Sequence, residues 1–345
     1  MFSEKNKNKL FRALPTALAA LLIIAAICAA LSCSATGLYT EGEGELNVVC
    51  TNFPPFDLSR EVGGDKVTLT VLQSSGADLH NFSPTSKTMI ALKNADVLVC
   101  VGGDSDNVWL EGALASAANP GLLVVRMTEC VELICSEDIH TTEPHDHGHG
   151  EEESEEEHGH GEEEHGHAHD EHVWTSLRNS QLIVTRIAEA FAEKDGENAG
   201  FYRANAVSYN EKLADLDRQY LEATANAKRN VLLFADRFPF AYMTEDYDLI
   251  YYAAFSGCST EVNASFETAS ALIDAVNKHS LPAILIIDVS PDSPPAVAST
   301  VASSTGARIL SLNSCQAVGR KQIEEGATYL GIMTENLNVL KEALN

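Results

Sequence analysis

The sequence predicts an α/β fold with two Rossmann-like lobes, each built on a mostly parallel four-stranded sheet, and a long connecting helix between them. Three observations support this prediction. Eight short apolar runs alternate with helical patterns, as expected for strands covered on both faces. The runs fall into two groups of four. The helical stretch between the groups, at about 30 residues, is long for a single globular domain.

The first lobe contains four strand-like runs with helical segments between them. Its strands are predicted at 45–50, 66–73, 95–101 and 122–126. Its helices are predicted at 83–94 and 106–118. Because the runs are apolar over nearly their whole length, we expect a parallel sheet with helices on both faces.

The connecting helix is predicted over 197–227. Its large apolar residues recur at spacings of four, three and four, which marks one face of a helix: Tyr209, Leu213, Leu216 and Tyr220. At a rise of 1.5 Å per residue, such a helix reaches roughly 45 Å. The alternative is two shorter helices.

The second lobe repeats the pattern of the first. Its strands are predicted at 230–235, 248–255, 283–288 and 308–312. Helices are predicted at 265–279 and 293–304, and an amphipathic last helix at 326–344. The chain therefore divides into these segments: a lipoprotein signal at 1–33, a tether at 34–45, an N-terminal lobe at 46–196 with a His/Glu-rich loop at 140–171, the connecting helix at 197–228, and a C-terminal lobe at 229–345.

The N-terminus has the pattern of an export signal. Basic residues at 5, 7, 9 and 12 precede an apolar stretch over 14–31. The run Ala30-Leu31-Ser32-Cys33 resembles a bacterial lipoprotein cleavage box, which predicts lipidation of Cys33 and anchoring on the outer face of the bacterial cell membrane. The alternatives are ordinary signal cleavage and an uncleaved anchor, because the apolar run is near the lower limit for a span.

Charge and composition exclude some classes of protein. The 345 residues carry a formal net charge of −27, with 50 acidic and 23 basic residues, so a nucleic-acid partner is not expected. The 45% apolar content excludes a wholly disordered chain. The charge is uneven, because residues 140–172 hold 10 of the 12 His and no Lys or Arg.

Residues 140–171 contain no Leu, Val, Phe or Met and are predicted to form a mobile surface loop, and this His-rich loop has the composition of a metal-binding segment. Its imidazoles and carboxylates suit zinc, copper or nickel, although without fixed geometry each site is expected to be weak. The alternative is a solubilising acidic run, but acidity alone does not require so many His. The auxiliary metal ligands predicted here are His140, His145, His147, His149, His158, His160, His165, His167 and His169.

Candidate ligands of a tighter site lie where strands end. Ligands bind beyond the carboxyl ends of strands in open α/β sheets. That rule selects His80, Asp236 and Asp288, and His172 is added because it lies just past the His-rich loop and before a predicted helix. Zinc accepts such a mixture of nitrogen and oxygen ligands in tetrahedral geometry.

Each of these residues has a structural alternative. His80 can be a turn residue, and His172 can be the last member of the His-rich loop. Asp236 can pair with Arg237 or cap a helix, and Asp288 can also cap a helix. For the two carboxylates the sequence leaves the choice open.

The order of these features resembles the zinc and manganese substrate-binding proteins of bacterial ABC importers, the ZnuA-like family. The family pattern xGxDxHxxxPT is matched by Gly76, Asp78, His80, Pro84 and Thr85. The pattern DxHxW is matched by Asp170, His172 and Trp174. The family also has an acidic His-rich insertion and a long helix between two α/β lobes. The resemblance covers residues 46–345 and the exported N-terminus.

The second half of the family's site differs here. The third family ligand, His or Glu, corresponds to Arg237, which has no lone pair for a metal ion. The adjacent Asp236 can replace it. The fourth family ligand, an Asp, corresponds to Asn313, a weaker neutral ligand. Glu261 is a further candidate near the cleft. By analogy with family members that bridge the second lobe, the resemblance also suggests a disulfide between Cys258 and Cys315.

The resemblance implies a metal receptor rather than an enzyme. Such a receptor captures Zn²⁺, or less favourably Mn²⁺, as a lipid-anchored monomer and delivers it to a membrane permease. Closure of the lobes would complete the coordination shell, and affinity would fall below about pH 6. Neither HExxH nor GxSxG occurs. The competing hypotheses are a secreted zinc hydrolase and an extracellular metal buffer or adhesin.

Overall fold

The computed structural model describes residues 38–73, 82–136, 169–257 and 264–345. Contacts group residues 39–345 into one compact unit. Several predicted features lie outside the described residues: the signal segment with Cys33, His80, residues 140–168 of the His-rich loop, Cys258 and Glu261. Among the helices of the described ranges, none combines the length and apolar content that a membrane span requires.

The first sheet has five strands and confirms the four parallel strands predicted there. The strands are β1 (Tyr39–Glu41), β2 (Leu46–Cys50), β3 (Val67–Val71), β4 (Val97–Cys100) and β5 (Leu123–Arg126). Their spatial order is β1-β3-β2-β4-β5, and only β1 is antiparallel to its neighbour. The helices of this lobe are α1 (Phe53–Gly63), α2 (Ser86–Asn94), α3 (Asp104–Ala117) and α4 (Leu177–Lys194).

The second sheet has four strands, all parallel, as predicted. They are β6 (Val231–Phe238), β7 (Ile250–Ser256), β8 (Ala283–Ile287) and β9 (Arg308–Leu312), in the order β7-β6-β8-β9. The helices of this lobe are α6 (Ala241–Asp246), α7 (Phe266–His279), α8 (Ala296–Thr305), α9 (Arg320–Glu324) and α10 (Tyr329–Ala343).

The connecting helix α5 (Ala199–Ala225) runs without a break, so the alternative of two shorter helices is wrong. Its buried side chains recur at spacings of four and three: Tyr202, Ala206, Tyr209, Leu213, Leu216 and Tyr220. The face predicted from the sequence is therefore the face that packs. Near its C-terminal end, the hydroxyl of Tyr220 donates to the carbonyl of Met333 at 2.5 Å and ties α5 to α10.

Part of the predicted tether belongs to the folded protein. Tyr39–Glu41 form the edge strand β1, so the tether prediction over 34–45 is wrong for these residues. Two contacts explain the pairing. The hydroxyls of Thr40 and Thr70 lie 3.0 Å apart, and the ring of Tyr39 packs edge-on against Phe56.

The two sheets have the same strand order, so each has the same kind of crevice at the carboxyl ends of its strands. In both, the chain places its second parallel strand on one side of the first strand and its third on the other. The reversal creates a switch point between β2 and β4, and an equivalent one between β6 and β8. Ligands are expected at the carboxyl ends of these pairs of strands.

Side chains of both lobes and of α5 belong to one hydrophobic core. It extends from the strands of the first sheet, such as Val48, through Leu213 of α5, to Phe234 and Leu340 of the second lobe. A smaller cluster, which includes Leu233 and Ile286, covers the other face of the second sheet. The lobes are therefore joined by shared packing as well as by the connecting helix.

Candidate metal centre

His172 is fully buried and is held by the residue two positions before it. Its backbone N–H donates to Oδ1 of Asp170 at 2.8 Å, and its Nδ1 lies 3.1 Å from the same oxygen. The hydroxyl and backbone N–H of Thr175 donate to the His172 carbonyl at 2.8 and 3.0 Å. These bonds fix the ring before α4 begins.

The other ring nitrogen, Nε2, is available for a ligand. It is buried and forms no well-aligned hydrogen bond within the described residues. A neutral imidazole whose Nδ1–H donates to a carboxylate presents its lone pair at Nε2, which is the usual arrangement of a metal-binding histidine. A buried nitrogen without a well-aligned partner is rare, and a metal ion is one ligand that would satisfy its lone pair.

The charge near His172 favours protonation of the ring. Burial is the largest single effect and lowers the pKa of His172, but the upward effects together outweigh it, led by the charge and the hydrogen bond of Asp170, so the pKa lies above its usual 6.5. Glu171 and Gln316 add smaller upward effects. A proton and a metal ion therefore compete for the same nitrogen.

The segment 170–172 is fastened on both sides. The N–H of Asp170 donates to the carbonyl of Ile134 at 3.0 Å, and the hydroxyl of Tyr242 donates to the Asp170 carbonyl at 2.7 Å. The backbone N–H of Ser105, in the first turn of α3, donates to Oε2 of Glu171 at 3.0 Å. The prediction that the His-rich surface loop extends to residue 171 is therefore wrong for Asp170 and Glu171, because both are buried in the fold.

Residues of the second lobe contact both His172 and Trp174 directly. Gly257, which follows β7, lies so close to the His172 ring that there is no room for a side chain at this position. A Cβ atom added there would lie 3.2 Å from Cε1 of His172 and 2.8 Å from the carbonyl oxygen of Phe238. The indole N–H of Trp174 donates to the carbonyl of Ser314 at 2.7 Å. His172 therefore lies at the contact between the lobes.

Asp236 joins two strands at the switch point of the second lobe. It sits where the β6 register shifts, between Phe234 and Arg237. Its Oδ1 accepts the N–H of Arg237 at 2.8 Å, and its Oδ2 accepts the N–H of Ile287 at 3.1 Å. The carboxylate is half-buried and already has two backbone donors.

Asp288 lies across the same switch point, at the end of β8. Its backbone is left-handed, with φ of 58°. Oδ1 accepts the N–H of Ser314 at 2.7 Å, and Oδ2 accepts the Ser314 hydroxyl. Burial raises the pKa of Asp288, and the bonds from Ser314 oppose that shift. The charges of Arg237 and Asp236 also act on Asp288, so all three lie at one strand edge.

Asn313 uses its side chain locally. Its Oδ1 accepts the N–H of Cys315 at 2.8 Å, while its backbone forms two bonds with the amide of Asn336, at 2.9 and 2.8 Å. Cys315 is buried and forms no disulfide with another described cysteine. The predicted pair with Cys258 stays a prediction, because Cys258 lies outside the described residues.

The described part of the chain does not by itself contain a complete metal site. Its His, Cys, Asp and Glu side chains contain no group of three or more placed to hold a metal ion. The structure brings Asp236, Arg237 and Asp288 together, and it places His172 at the contact between the lobes. His80 and Glu261 are outside the described ranges, so the complete ligand set remains a prediction. His169 is exposed and pairs through its backbone with Cys135.

Several residues around His172 were missed by sequence reasoning. Ser314, Gln316 and Gly257 come from distant parts of the chain and belong to no metal-binding pattern. The available signal was Gly257, which lies two residues after the strand predicted at 248–255, since glycine is typical of close backbone approach.

Comparisons with known proteins agree with the fold and with the sequence patterns. The family described as zinc-uptake complex component A, periplasmic, matches residues 48–343. The zinc-binding lipoprotein AdcA of Streptococcus pneumoniae is 26% identical over 321 residues, which is 93% of this chain and 60% of AdcA. The chain thus spans about 60% of the length of that relative.

Two further relatives match over most of both chains. The high-affinity zinc uptake system protein ZnuA of Bacillus subtilis is 28% identical over 328 residues, covering 94% of this chain and 97% of ZnuA. The crystal structure of the metal-dependent lipoprotein YcdH from Bacillus subtilis shares the fold, with a TM-score of 0.68, 24% identity, and coverage of 87% and 99%. The resemblance predicted from the motifs is confirmed: this chain belongs to the zinc-uptake component A family.

Proposed function

We propose that this chain is the extracytoplasmic metal-binding component of a zinc uptake system. It captures Zn²⁺ at the contact between its lobes and delivers it to the membrane permease of an ABC importer. The observation that carries the proposal is the buried Nε2 of His172, which forms no well-aligned hydrogen bond within the described residues and belongs to a ring that Asp170 orients. Membership of a zinc-uptake family supplies the class of cargo.

The ligand set proposed here combines both lobes. His80 and His172 donate imidazole nitrogens, and the second lobe donates carboxylate oxygen. Asp236 is the first candidate because it precedes Arg237, which occupies the family's third ligand position. Asp288, Glu261 and Asn313 complete the list of candidates. Two imidazoles favour Zn²⁺ over Mn²⁺, which prefers oxygen ligands.

The proposed location is the outer face of the bacterial cell membrane, with a lipid on Cys33. The basic and apolar N-terminal pattern supports it, as does the name of the relative AdcA, a lipoprotein. Cys33→Ala is expected to release the protein from the membrane fraction. A monomer in solution is also expected, and sedimentation of the mature chain tests it.

The enzyme hypothesis has no support from the family, which is named for an uptake component. The metal-buffer hypothesis differs from the receptor hypothesis in which residues bind most of the zinc. A buffer would bind zinc mainly through the His-rich loop, whereas a receptor holds one ion tightly through His172 and His80.

The central test is a zinc titration of the full chain against a tight-binding chelator, which reports only the tight site. His172→Ala and His80→Ala are each expected to weaken that site by about tenfold or more, because each removes a ligand. His279→Ala is the matched control. Its Nε2 lies 3.1 Å from the Tyr252 hydroxyl, away from the strand ends where the candidate ligands lie. Unchanged zinc affinity in His172→Ala would refute the proposal.

A further inference from the structure

Asp288 lies beside the proposed site, yet its carboxylate is bonded to a loop. Both oxygens accept hydrogen bonds from Ser314, one from the backbone N–H at 2.7 Å and one from the hydroxyl. The N–H of Asp288 donates to the carbonyl of Leu312 at 2.9 Å. The end of β8 is thereby fastened to the segment that follows β9.

The hydrogen-bonded path continues into the first lobe. The carbonyl of Ser314 accepts the indole N–H of Trp174 at 2.7 Å. Trp174 is fully buried, and the centre of its ring lies 5.4 Å from that of His172. The carboxylate of Asp288, the backbone and hydroxyl of Ser314 and the indole of Trp174 therefore form a path from the second sheet to the ring beside His172.

The backbone around this path is strained. Asp288 and Cys315 both have left-handed backbones, with φ of 58° and 65°, although neither is glycine. Such conformations persist only where surrounding contacts impose them, and they concentrate at functional sites. Ser314, which is bonded to Asp288 and directly precedes Cys315 in the chain, is 1% exposed. The strained turn therefore holds the Ser314 carbonyl in one direction, towards Trp174.

We propose that Asp288 is a positioning residue for metal binding. It fixes Ser314, Ser314 holds Trp174, and Trp174 sets the position of the His172 ring. This inference rests on the proposed function, because it requires His172 to bind the ion. It differs from the hypothesis that Asp288 is itself a ligand, since here its carboxylate acts through Ser314.

Substitutions at Asp288 separate the two roles. Asp288→Ala removes both acceptors, so tight-site zinc affinity of the full chain is expected to fall by about tenfold, as for residues that orient a ligand. Asp288→Asn keeps an acceptor for the Ser314 N–H, and its amide can donate to the Ser314 hydroxyl. It is therefore expected to recover affinity to within about threefold of the natural protein.

The ligand hypothesis predicts the opposite for the amide. A neutral amide is a weak ligand for zinc, so Asp288→Asn would lose as much affinity as Asp288→Ala. That result would overturn the positioning role. The exposed Asp292, replaced by Asn, is the matched control for a change of charge near β8.

A second measurement tests the path through Trp174. Trp174→Phe keeps an aromatic ring and removes the indole N–H, so it is expected to weaken zinc binding by about the same factor as Asp288→Ala. Because both changes break one path, the double variant should lose little more than either single variant. Losses that add would mean that the two residues act independently, and would overturn the proposal.

The outcome for His172→Ala separates this inference from the proposed function. If His172→Ala leaves the tight site intact, the proposed function fails and the inference with it. If His172→Ala removes the tight site while Asp288→Ala and Trp174→Phe bind zinc normally, only the positioning role of Asp288 fails.

Discussion

Asp170 controls both the orientation and the basicity of His172. Its Oδ1 accepts bonds from the backbone and from Nδ1 of His172, so the ring turns Nε2 away from the carboxylate. The same negative charge raises the pKa of the ring. Orientation strengthens metal binding, whereas the raised pKa makes the free site easier to protonate in acid.

The pH dependence of zinc binding follows from that raised pKa. Protonated imidazole has no lone pair for a metal ion. Because the pKa of His172 lies above 6.5, zinc affinity is expected to begin falling above pH 6.5 as the solution is acidified, earlier than the pH 6 expected from sequence alone. Chelator competition titrations between about pH 5.5 and pH 8 measure this onset.

Asp170→Asn provides the comparison. Without the carboxylate charge the onset is expected to move to lower pH, while affinity at pH 8 falls by about tenfold because the ring is less well oriented. Identical pH profiles for the two proteins would contradict the role given to Asp170.

At this scale the sequence singles out His172 as a candidate ligand but does not identify the residues that pack around it. His172 stands out because Asp170 and Trp174 lie at short, fixed spacings from it. Ser314 is 140 residues from its partner Trp174, so no local pattern connects the two. Asp288 follows a strand, which correctly predicts its place at the sheet edge, but its bonds to Ser314 arise only from the tertiary fold.

An ion pair within α1 holds the start of α10 in place through hydrogen bonds. Asp57 and Arg60 of α1 form a salt bridge, and Asp57 is fully buried. Oδ2 of Asp57 accepts the N–H of Tyr329 at 2.6 Å, and Arg60 donates to the carbonyl of Ala327 at 3.1 Å. The start of the last helix is thus fixed to the first lobe.

Asp57→Ala is expected to lower the free energy of unfolding by about 3 kcal/mol, because it leaves the Tyr329 N–H without its acceptor and removes the nearest carboxylate partner of the Arg60 guanidinium. Urea denaturation of the metal-free protein measures the change. Arg218→Ala is the control, since Arg218 and its partner Asp215 are 71% and 59% exposed, and a loss under about 1 kcal/mol is expected. Equal losses would contradict the role given to the buried pair.

The elements that the sequence did not predict have identifiable reasons. Helix α1 begins Phe53-Pro54-Pro55, and adjacent prolines normally argue against a helix. They fit here because the first turn needs no backbone donors. Strand β1 has only three residues, too few for an alternating pattern, and depends on pairing with β3. The long apolar strands and α5 were predictable because their periodicity extends over many residues.

The whole molecule is expected to bind metal in two ways. One site at the contact between the lobes is expected to bind tightly, and the His-rich loop is expected to bind several ions weakly, because its composition gives many donors without fixed geometry. Deleting residues 141–169 should remove the weak binding and leave the tight site. Equilibrium dialysis at micromolar zinc, together with chelator competition, counts both classes.

The same deletion tests how the loop relates to the fold. Shortening a long surface loop changes the closure entropy little, so the metal-free protein should keep its stability to within about 1 kcal/mol. A chain that loses its tight site on deletion would point to the metal-buffer hypothesis. A large loss of metal-free stability would contradict the surface location predicted for this loop.

The connecting helix has a consequence for how cargo leaves. Tyr209, Leu213 and Leu216 lie in the core that both halves share, so pulling the halves widely apart would expose them to water at about 25 cal/mol for each Å² of apolar surface. Dissociation is therefore expected to proceed by small movements at the strand ends around a rigid body. The rate at which each ion is transferred would then be limited by how long the ion stays bound, and not by a large conformational change.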